Sequence, residues 1–237
     1  MLMENGRGGH TPRTPGAPSK DGGHTAGHRR MPLSSTHSGY LCAPSMTWLI
    51  VGLILFFGIH SIEIVRPGTR TAAIRRLGSE GPWKAMYALV SIIGLAMIVY
   101  GYGLSRYAPY LLYTPPGAGR HLAMLLMVPV FPLILAAYLP GRIAHALCHP
   151  MLIATVLWAC AHLLANGNLA DVLLFGVFGL WALADIASLS RRPKRSIAGA
   201  PAWPWNDLVA VVSGLLVYAA FLLFAHRWLI GVPLLRG

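Results

Sequence analysis

The residues of this sequence that could do chemistry are ionisable side chains inside apolar stretches. They are His60 and Glu63 in one stretch, His162 in a second, Asp185 in a third and His226 in a fourth. A titratable group inside a membrane-spanning segment is costly and is by default a candidate functional residue. Neutral imidazole in an apolar cavity is well suited to ligate a metal or a haem iron. We therefore expect the histidines to be the leading candidates for cofactor ligands.

Each candidate also has a structural interpretation. His60 and Glu63, three residues apart, share a helix face and could form a proton relay, but Glu63 could equally pair with Arg66 at the interface. His162 could be a neutral imidazole that hydrogen-bonds to a neighbouring helix. His149, directly before Pro150, could be a ligand or could cap its helix. We assign His121 and His226 to an interfacial belt and expect Asp185 to pair with Arg191 or Arg192.

Several enzyme classes are unsupported by the motifs. The chain has no P-loop, no dinucleotide fingerprint, no Ser/His/Asp arrangement and no helical His-Glu-x-x-His motif. Its three cysteines lie at Cys42, Cys148 and Cys160, which is not a metal-ligand spacing. A single-site hydrolase, a kinase, a zinc site and a disulfide framework are therefore not expected.

The composition indicates the elements that must position these side chains. Of 237 residues, 55% are apolar and only 11% are charged, and the formal net charge is +12. Soluble domains carry about 25% charged residues, so we predict an all-α, polytopic membrane protein. The positive charges cluster between apolar runs, which excludes nucleic acid as a partner and leaves membrane lipids.

Six apolar runs are long enough to cross a bilayer, and we predict a bundle of six transmembrane helices. Pro129 and Pro132 should kink the third, and the turn at residues 166–168 makes the fourth and fifth antiparallel neighbours. The runs lie near residues 46–65, 83–104, 121–139, 150–166, 169–188 and 208–230.

Residues 1–45 differ from the remainder of the chain. They are rich in Gly and Pro and contain no apolar run, so we predict a disordered tail. Met46 opens directly on an apolar helix, which suggests an over-extended gene start and a transmembrane domain over 46–237. Loops 66–82, 140–148 and 189–207, together with Lys84 just after the first, carry ten Lys and Arg residues against four on the other side, so we expect the basic loops to be cytoplasmic.

Seven short segments, in chain order, resemble the bacterial NnrU family over about residues 46–192. The most specific is Trp158-x-x-Ala161-His162-Leu163-x-Ala165-Asn166-Gly167. The others lie at 57–61, 83–91, 100–103, 114–116, 120–122 and 149–152.

The resemblance implies an inner-membrane protein associated with nitrite and nitric oxide reduction. NnrU proteins are related to plant 15-cis-zeta-carotene isomerase, which carries a b-type haem (haem b) with two axial histidines. Those positions correspond to His60 and His162 in this chain. The resemblance also implies a lipid-soluble substrate and, if the protein is an enzyme, isomerisation of a conjugated lipid.

Helix geometry constrains that ligand pair. His60 should lie about 9 Å from the basic face and His162 about 20 Å, at 1.5 Å per residue. A shared iron then requires an inclined ligand axis or tilted helices. His149, at a depth similar to that of His60, is the competing partner.

Two further functions stay open. One is a non-enzymatic membrane assembly or regulatory factor for denitrification. The other is a small membrane S-adenosylmethionine-dependent methyltransferase, whose signature Arg-His-Pro-x-Tyr-x-Gly is followed by paired glutamates. Here Cys148, Leu152 and Ala154 replace Arg, Tyr and Gly, and no Glu follows Glu80, which argues against methyl transfer.

Overall fold

The described part of the chain folds into helices joined by turns and loops. The computed structural model describes residues 44–189, 191 and 199–234, which belong to one compact unit. Within those ranges there is no β-strand, only an isolated antiparallel bridge between Leu111 and Asn168. The predicted tail lies outside the described residues except for Pro44 and Ser45, which begin the first helix.

The helices are numbered in chain order. They are α1 Pro44–His60, α2 Ile62–Val65, α3 Thr69–Leu77, α4 Glu80–Ser105, α5 Gly119–Met127, α6 Val130–Ala136, α7 Arg142–Leu147, α8 Pro150–Ala165, α9 Leu169–Leu189, α10 Asn206–Ala220 and α11 His226–Ile230. A π-helical turn, Phe221–Ala225, joins α10 to α11.

Four segments of the described chain are long and apolar enough to cross a bilayer. They are Glu80–Ser105, Gly119–Ala136, Leu169–Leu189 and Asn206–Ile230. The helices α1 and α8, with 17 and 16 residues, are apolar but shorter. An all-helical chain with several candidate spans matches the predicted architecture, whereas the count of six crossings stays a prediction.

Two predicted runs are interrupted. The first run, 46–65, breaks at Ser61, so that α1 ends at His60 and the short α2 follows. The third run breaks at Pro129, between α5 and α6, where we predicted a kink. Proline has no N–H to continue the helical hydrogen bonds, and its ring crowds the preceding turn.

Glycines allow α1 and α4 to pack backbone against backbone. A methyl group added at Gly52 would lie 2.7 Å from the Ile98 nitrogen, and one at Gly94 would lie 2.8 Å from the Phe56 nitrogen. Gly101 meets the backbone of Leu49 in the same way. Small residues at such contacts are typical of packed membrane helices, where van der Waals contact replaces the hydrophobic effect.

The 106–118 loop is fastened to the turn between α8 and α9. Gly167 O accepts hydrogen bonds from the backbone N–H groups of Leu112, at 2.8 Å, and Tyr113, at 3.2 Å. Tyr110 O accepts one from Leu169 at 2.8 Å. The loop therefore covers the ends of α8 and α9, close to the end of the bundle where His162 lies.

Candidate functional site

His60 is the last residue of α1, and its imidazole lies among aromatic rings. It stacks on Phe56, with ring centroids 4.2 Å apart, and contacts Tyr87 at 5.1 Å and Trp181 at 5.9 Å. Its Nδ1 lies 2.6 Å from the carbonyl oxygen of Phe56, one turn earlier. The ring orientation is thus fixed by its own helix and by side chains from α4 and α9.

His162 lies in the last turn of α8 in a closely similar environment. Its imidazole stacks on Phe175 of α9 at 4.4 Å and contacts Trp158 at 5.1 Å. Its Nδ1 lies 2.8 Å from the carbonyl oxygen of Trp158, again one turn earlier. Both candidate histidines therefore present the same pattern, although they come from different helices.

This pattern determines what each imidazole can do. A carbonyl oxygen only accepts hydrogen bonds, so in each histidine Nδ1 carries the proton and Nε2 carries the lone pair. An Nδ1–H donated to a backbone carbonyl, with Nε2 left as the ligand, is a common arrangement of metal-binding histidines. With Nδ1 engaged in this way, Nε2 of both His60 and His162 is the nitrogen left to ligate a metal.

Aromatic rings connect the two imidazoles. Phe56, stacked on His60, contacts Phe178 at 5.8 Å, and Phe178 contacts Trp158 at 5.4 Å. Trp158 in turn contacts His162. Side chains from α1, α8 and α9 thus form one continuous cluster, which we call the ring cluster: His60, Phe56, Phe57, Trp158, His162, Phe175, Phe178 and Trp181.

The two imidazoles contact α9 at different levels. His162 stacks on Phe175, and His60 contacts Trp181 six residues later. Six residues of α-helix correspond to about 9 Å along the axis, close to the offset of about 10 Å inferred from the sequence. The ring cluster brings the two histidines into one assembly without placing them at one depth.

Each imidazole interacts electrostatically with one carboxylate of α9. Asp185 lies within electrostatic reach of His60, and Asp171 within reach of His162. Asp185 also accepts a 3.3 Å hydrogen bond from the Ser188 hydroxyl. The sequence predicted that Asp185 pairs with Arg191 or Arg192, and Arg192 lies outside the described residues. Together with Phe175 and Phe178, the two carboxylates fall at spacings of four, three and seven residues, which places them on one helix face.

The remaining candidates lie away from the ring cluster or at its edge. The Glu63 carboxylate accepts hydrogen bonds from the backbone of Gly68, at 3.3 Å, and Arg70, at 2.7 Å, which closes the turn after α2. His149 is the N-cap residue of α8, thirteen residues from His162. His121 is exposed in the first turn of α5. His226 lies within electrostatic reach of His162, so it is a second competing partner.

The residues of the ring cluster fit a haem iron in their donor chemistry. The cluster contains two imidazoles, and a pair of imidazoles is the donor set of bis-histidine haem ligation. Nowhere in the described ranges do three or more His, Cys, Asp or Glu side chains form a group able to hold a metal. The indole Nε1–H of Trp181 is buried beside His60 without a hydrogen-bond partner in the part of the chain described. A ligand oxygen, such as a porphyrin carboxylate, would satisfy that donor.

Comparison with known proteins agrees with the resemblance. The model of the family described as NnrU protein matches residues 48–234. The chain belongs to the NnrU family. No curated protein and no solved structure matches the chain significantly.

In this NnrU-family chain, three site residues were missed by sequence reasoning. Asp171 is 4% exposed, and it accepts hydrogen bonds from the backbone and side chain of Asn168, at 3.2 and 3.0 Å, and from Tyr102 at 2.7 Å. The spacing of Asn168 and Asp171 is that of a helix-capping box, which could have revealed Asp171. Tyr102 and Trp181 had no such signal, because their partners are distant in sequence.

Proposed function

We propose that this NnrU-family membrane protein binds b-type haem through His60 and His162 and acts in nitrite and nitric oxide respiration in the bacterial inner membrane. The observation that carries the proposal is the matched state of the two imidazoles. Each imidazole donates its Nδ1–H to the carbonyl oxygen one turn earlier, so each offers Nε2 as a metal-ligating atom among aromatic side chains.

The chain's own residues would perform distinct tasks. The carbonyls of Phe56 and Trp158 orient the two ligand rings, and the stacked Phe56 and Phe175 rings cover one face of each imidazole. Trp181 Nε1–H would anchor an oxygen of the bound group. Bound iron would supply a reversible one-electron change and a coordination position that a ligand can exchange.

A groove between α1 and α9 supports a lipid-soluble substrate, including a conjugated lipid that could be isomerised. It has a volume of about 380 Å³ and is lined largely by aliphatic residues, among them Leu53, Ile54, Leu173 and Val177. Phe57, a ring-cluster residue that contacts Trp181 at 5.3 Å, also lines it. An apolar molecule in the groove would therefore lie against the ring cluster.

The first experiment is spectroscopic. The full chain, produced with sufficient iron and haem, should show a Soret band with low-spin features in the oxidised and reduced states. His60→Ala and His162→Ala should each remove or shift those features, and His121→Ala, an exposed control, should not. Loss with His60→Ala and His149→Ala, while His162→Ala is silent, would assign the second ligand to His149. Loss with His162→Ala and His226→Ala, while His60→Ala is silent, would assign it to His226. Absence of any haem spectrum would refute the cofactor.

A second candidate function is a non-enzymatic assembly or regulatory factor for denitrification. The aromatic rings that connect the two imidazoles favour this function, because contacts between aromatic rings also stabilise the packing of helices. Complementation separates the two functions in a denitrifying strain that lacks the gene. If a His60→Ala, His162→Ala double variant restores growth on nitrite, the assembly role gains support and the haem role fails.

A further inference from the structure

A cavity lies where α2 meets the end of α9, apart from the ring cluster. Its volume is about 470 Å³, and it is lined by Ile64, Pro67, Ala184, Ala187, Ser188 and Arg191. Most of these side chains are apolar or small, and among the described residues that line the cavity Arg191 is the one with a formal charge. A site of this composition accommodates an anionic group attached to hydrocarbon.

Two carboxylates at this end of the bundle are engaged elsewhere, and a third, Asp185, accepts a 3.3 Å hydrogen bond from Ser188 of the cavity lining. Glu63 accepts hydrogen bonds from two backbone N–H groups of its own turn. Glu80 forms ion pairs with Arg70 at 3.2 Å and with Lys84 at 2.6 Å. Glu80 therefore neutralises Arg70 and Lys84.

Four arginines at this end have no ion-pair partner within 4.0 Å in the ranges the structure describes. Two belong to α3, one follows α2 and one follows α9: Arg75, Arg76, Arg66 and Arg191. Beside them, apolar side chains are exposed, with Val65 81% and Leu77 48% accessible. Arginines next to exposed aliphatic side chains are typical of a segment that lies at a lipid headgroup layer.

We propose that this cavity binds an anionic phospholipid, with Arg191 on the headgroup phosphate and the chains leaving along the apolar wall of Ile64, Pro67 and Ala184. Guanidinium is the side chain best suited to hydrogen-bond phosphate through two N–H groups at once. The proposal does not depend on iron, because neither His60 nor His162 lines the cavity.

The surroundings favour a lipid over a soluble anion or a nucleic acid. A soluble anion gains nothing from the aliphatic wall, whereas the chains of a phospholipid bury there. A nucleic acid needs a stripe of exposed cations with stacking aromatic side chains, and no aromatic side chain is found among the described residues that line this cavity. The positive charge of the arginines is thus complementary to an anionic phospholipid, which the membrane supplies.

The test measures lipid binding to the purified full chain. Native mass spectrometry and thermal unfolding in a neutral detergent would compare phosphatidylglycerol with phosphatidylcholine. We expect tighter binding of phosphatidylglycerol, weakened about fivefold by Arg191→Gln and retained in large part by Arg191→Lys. Ala184→Trp, which fills the cavity without changing a charge, should weaken binding as well.

The matched control is Arg227→Gln, an exposed arginine in α11, which should leave binding unchanged. Equal binding of the two lipids, or equal loss with Arg227→Gln and Arg191→Gln, would overturn the site. Effective competition by inorganic phosphate would overturn the lipid as its ligand. Haem spectra recorded on the same variants report haem binding independently, so a failure of the lipid site can be distinguished from a failure of the proposed haem function.

Discussion

Tyr102 in α4 donates a 2.7 Å hydrogen bond to Oδ1 of Asp171 in the first turn of α9. Oδ2 of the same carboxylate accepts two hydrogen bonds from Asn168. A buried acid is thereby satisfied at both oxygens, and α4 and α9 are joined at the end of the bundle where His162 lies.

Removal of the Tyr102 hydroxyl should destabilise the protein. Tyr102→Phe leaves Asp171 Oδ1 without its donor, and an unsatisfied buried acceptor costs about 1–3 kcal/mol. The unfolding temperature in detergent should fall. The control is Tyr107→Phe, whose side chain is 88% exposed and whose loss should have no measurable effect. Equal stability of the two variants would contradict the role of this hydrogen bond.

The glycine contact between α1 and α4 gives a second stability prediction. Gly94→Ala places a methyl group 2.8 Å from the Phe56 nitrogen, and such overpacking costs about 1–3 kcal/mol. Gly103→Ala, in the same helix with open space around it, should be neutral or more stable by about 0.5–1 kcal/mol. Unfolding temperatures of the two variants in one detergent provide the comparison; a similar fall in both would mean that the contact is not close.

The orientation can be tested with introduced cysteines. In a chain without its native cysteines, Ser79→Cys should be protected in intact cells from a membrane-impermeant maleimide, because it lies in a basic loop predicted to be cytoplasmic. Gly117→Cys, where a side chain meets no neighbour within 4 Å, should react. Both sites are exposed. The reverse labelling pattern would invert the orientation.

Tyr113 makes the 106–118 loop sensitive to alkaline pH. Its hydroxyl donates to the carbonyl oxygens of Leu163 and Asn166, and burial, together with the charge of Asp171, raises its pKa. The unfolded phenol ionises near pH 10, so its contribution is complete below pH 10 and falls as pH rises through the higher folded pKa. Tyr113→Phe should lack this alkaline loss, as followed by unfolding temperature against pH. An unchanged profile would show that another group titrates.

The sequence predicted the features that depend on local chemistry. Hydropathy located the apolar helices, proline located the break between α5 and α6, and the Asn166–Asn168 segment located the turn between α8 and α9. The ionisable histidines were visible because charge is scarce in apolar runs. Each of these signals lies within a few residues of the feature it marks.

Long-range partnerships could not be predicted in this way. Nothing near Tyr102 indicates Asp171, and nothing near His60 indicates Trp181, because these contacts depend on how helices distant in sequence are arranged. The break after His60 was also missed, since residues 46–65 are predominantly apolar and contain no proline. Periodicity assigns a residue to a helix, whereas packing decides which neighbour it contacts.

The glycine seam also has a mechanical consequence. Because the backbones of α1 and α4 touch at Gly52, Gly94 and Gly101, neither helix can slide or rotate on the other without first lifting away from it. We expect these two helices to move together as one rigid unit. The seam between α1 and α9 is different, since an open groove runs along it. Any opening that admits a molecule to the ring cluster should therefore be a displacement of α9, carrying Phe178 and Trp181, while His60 stays in place.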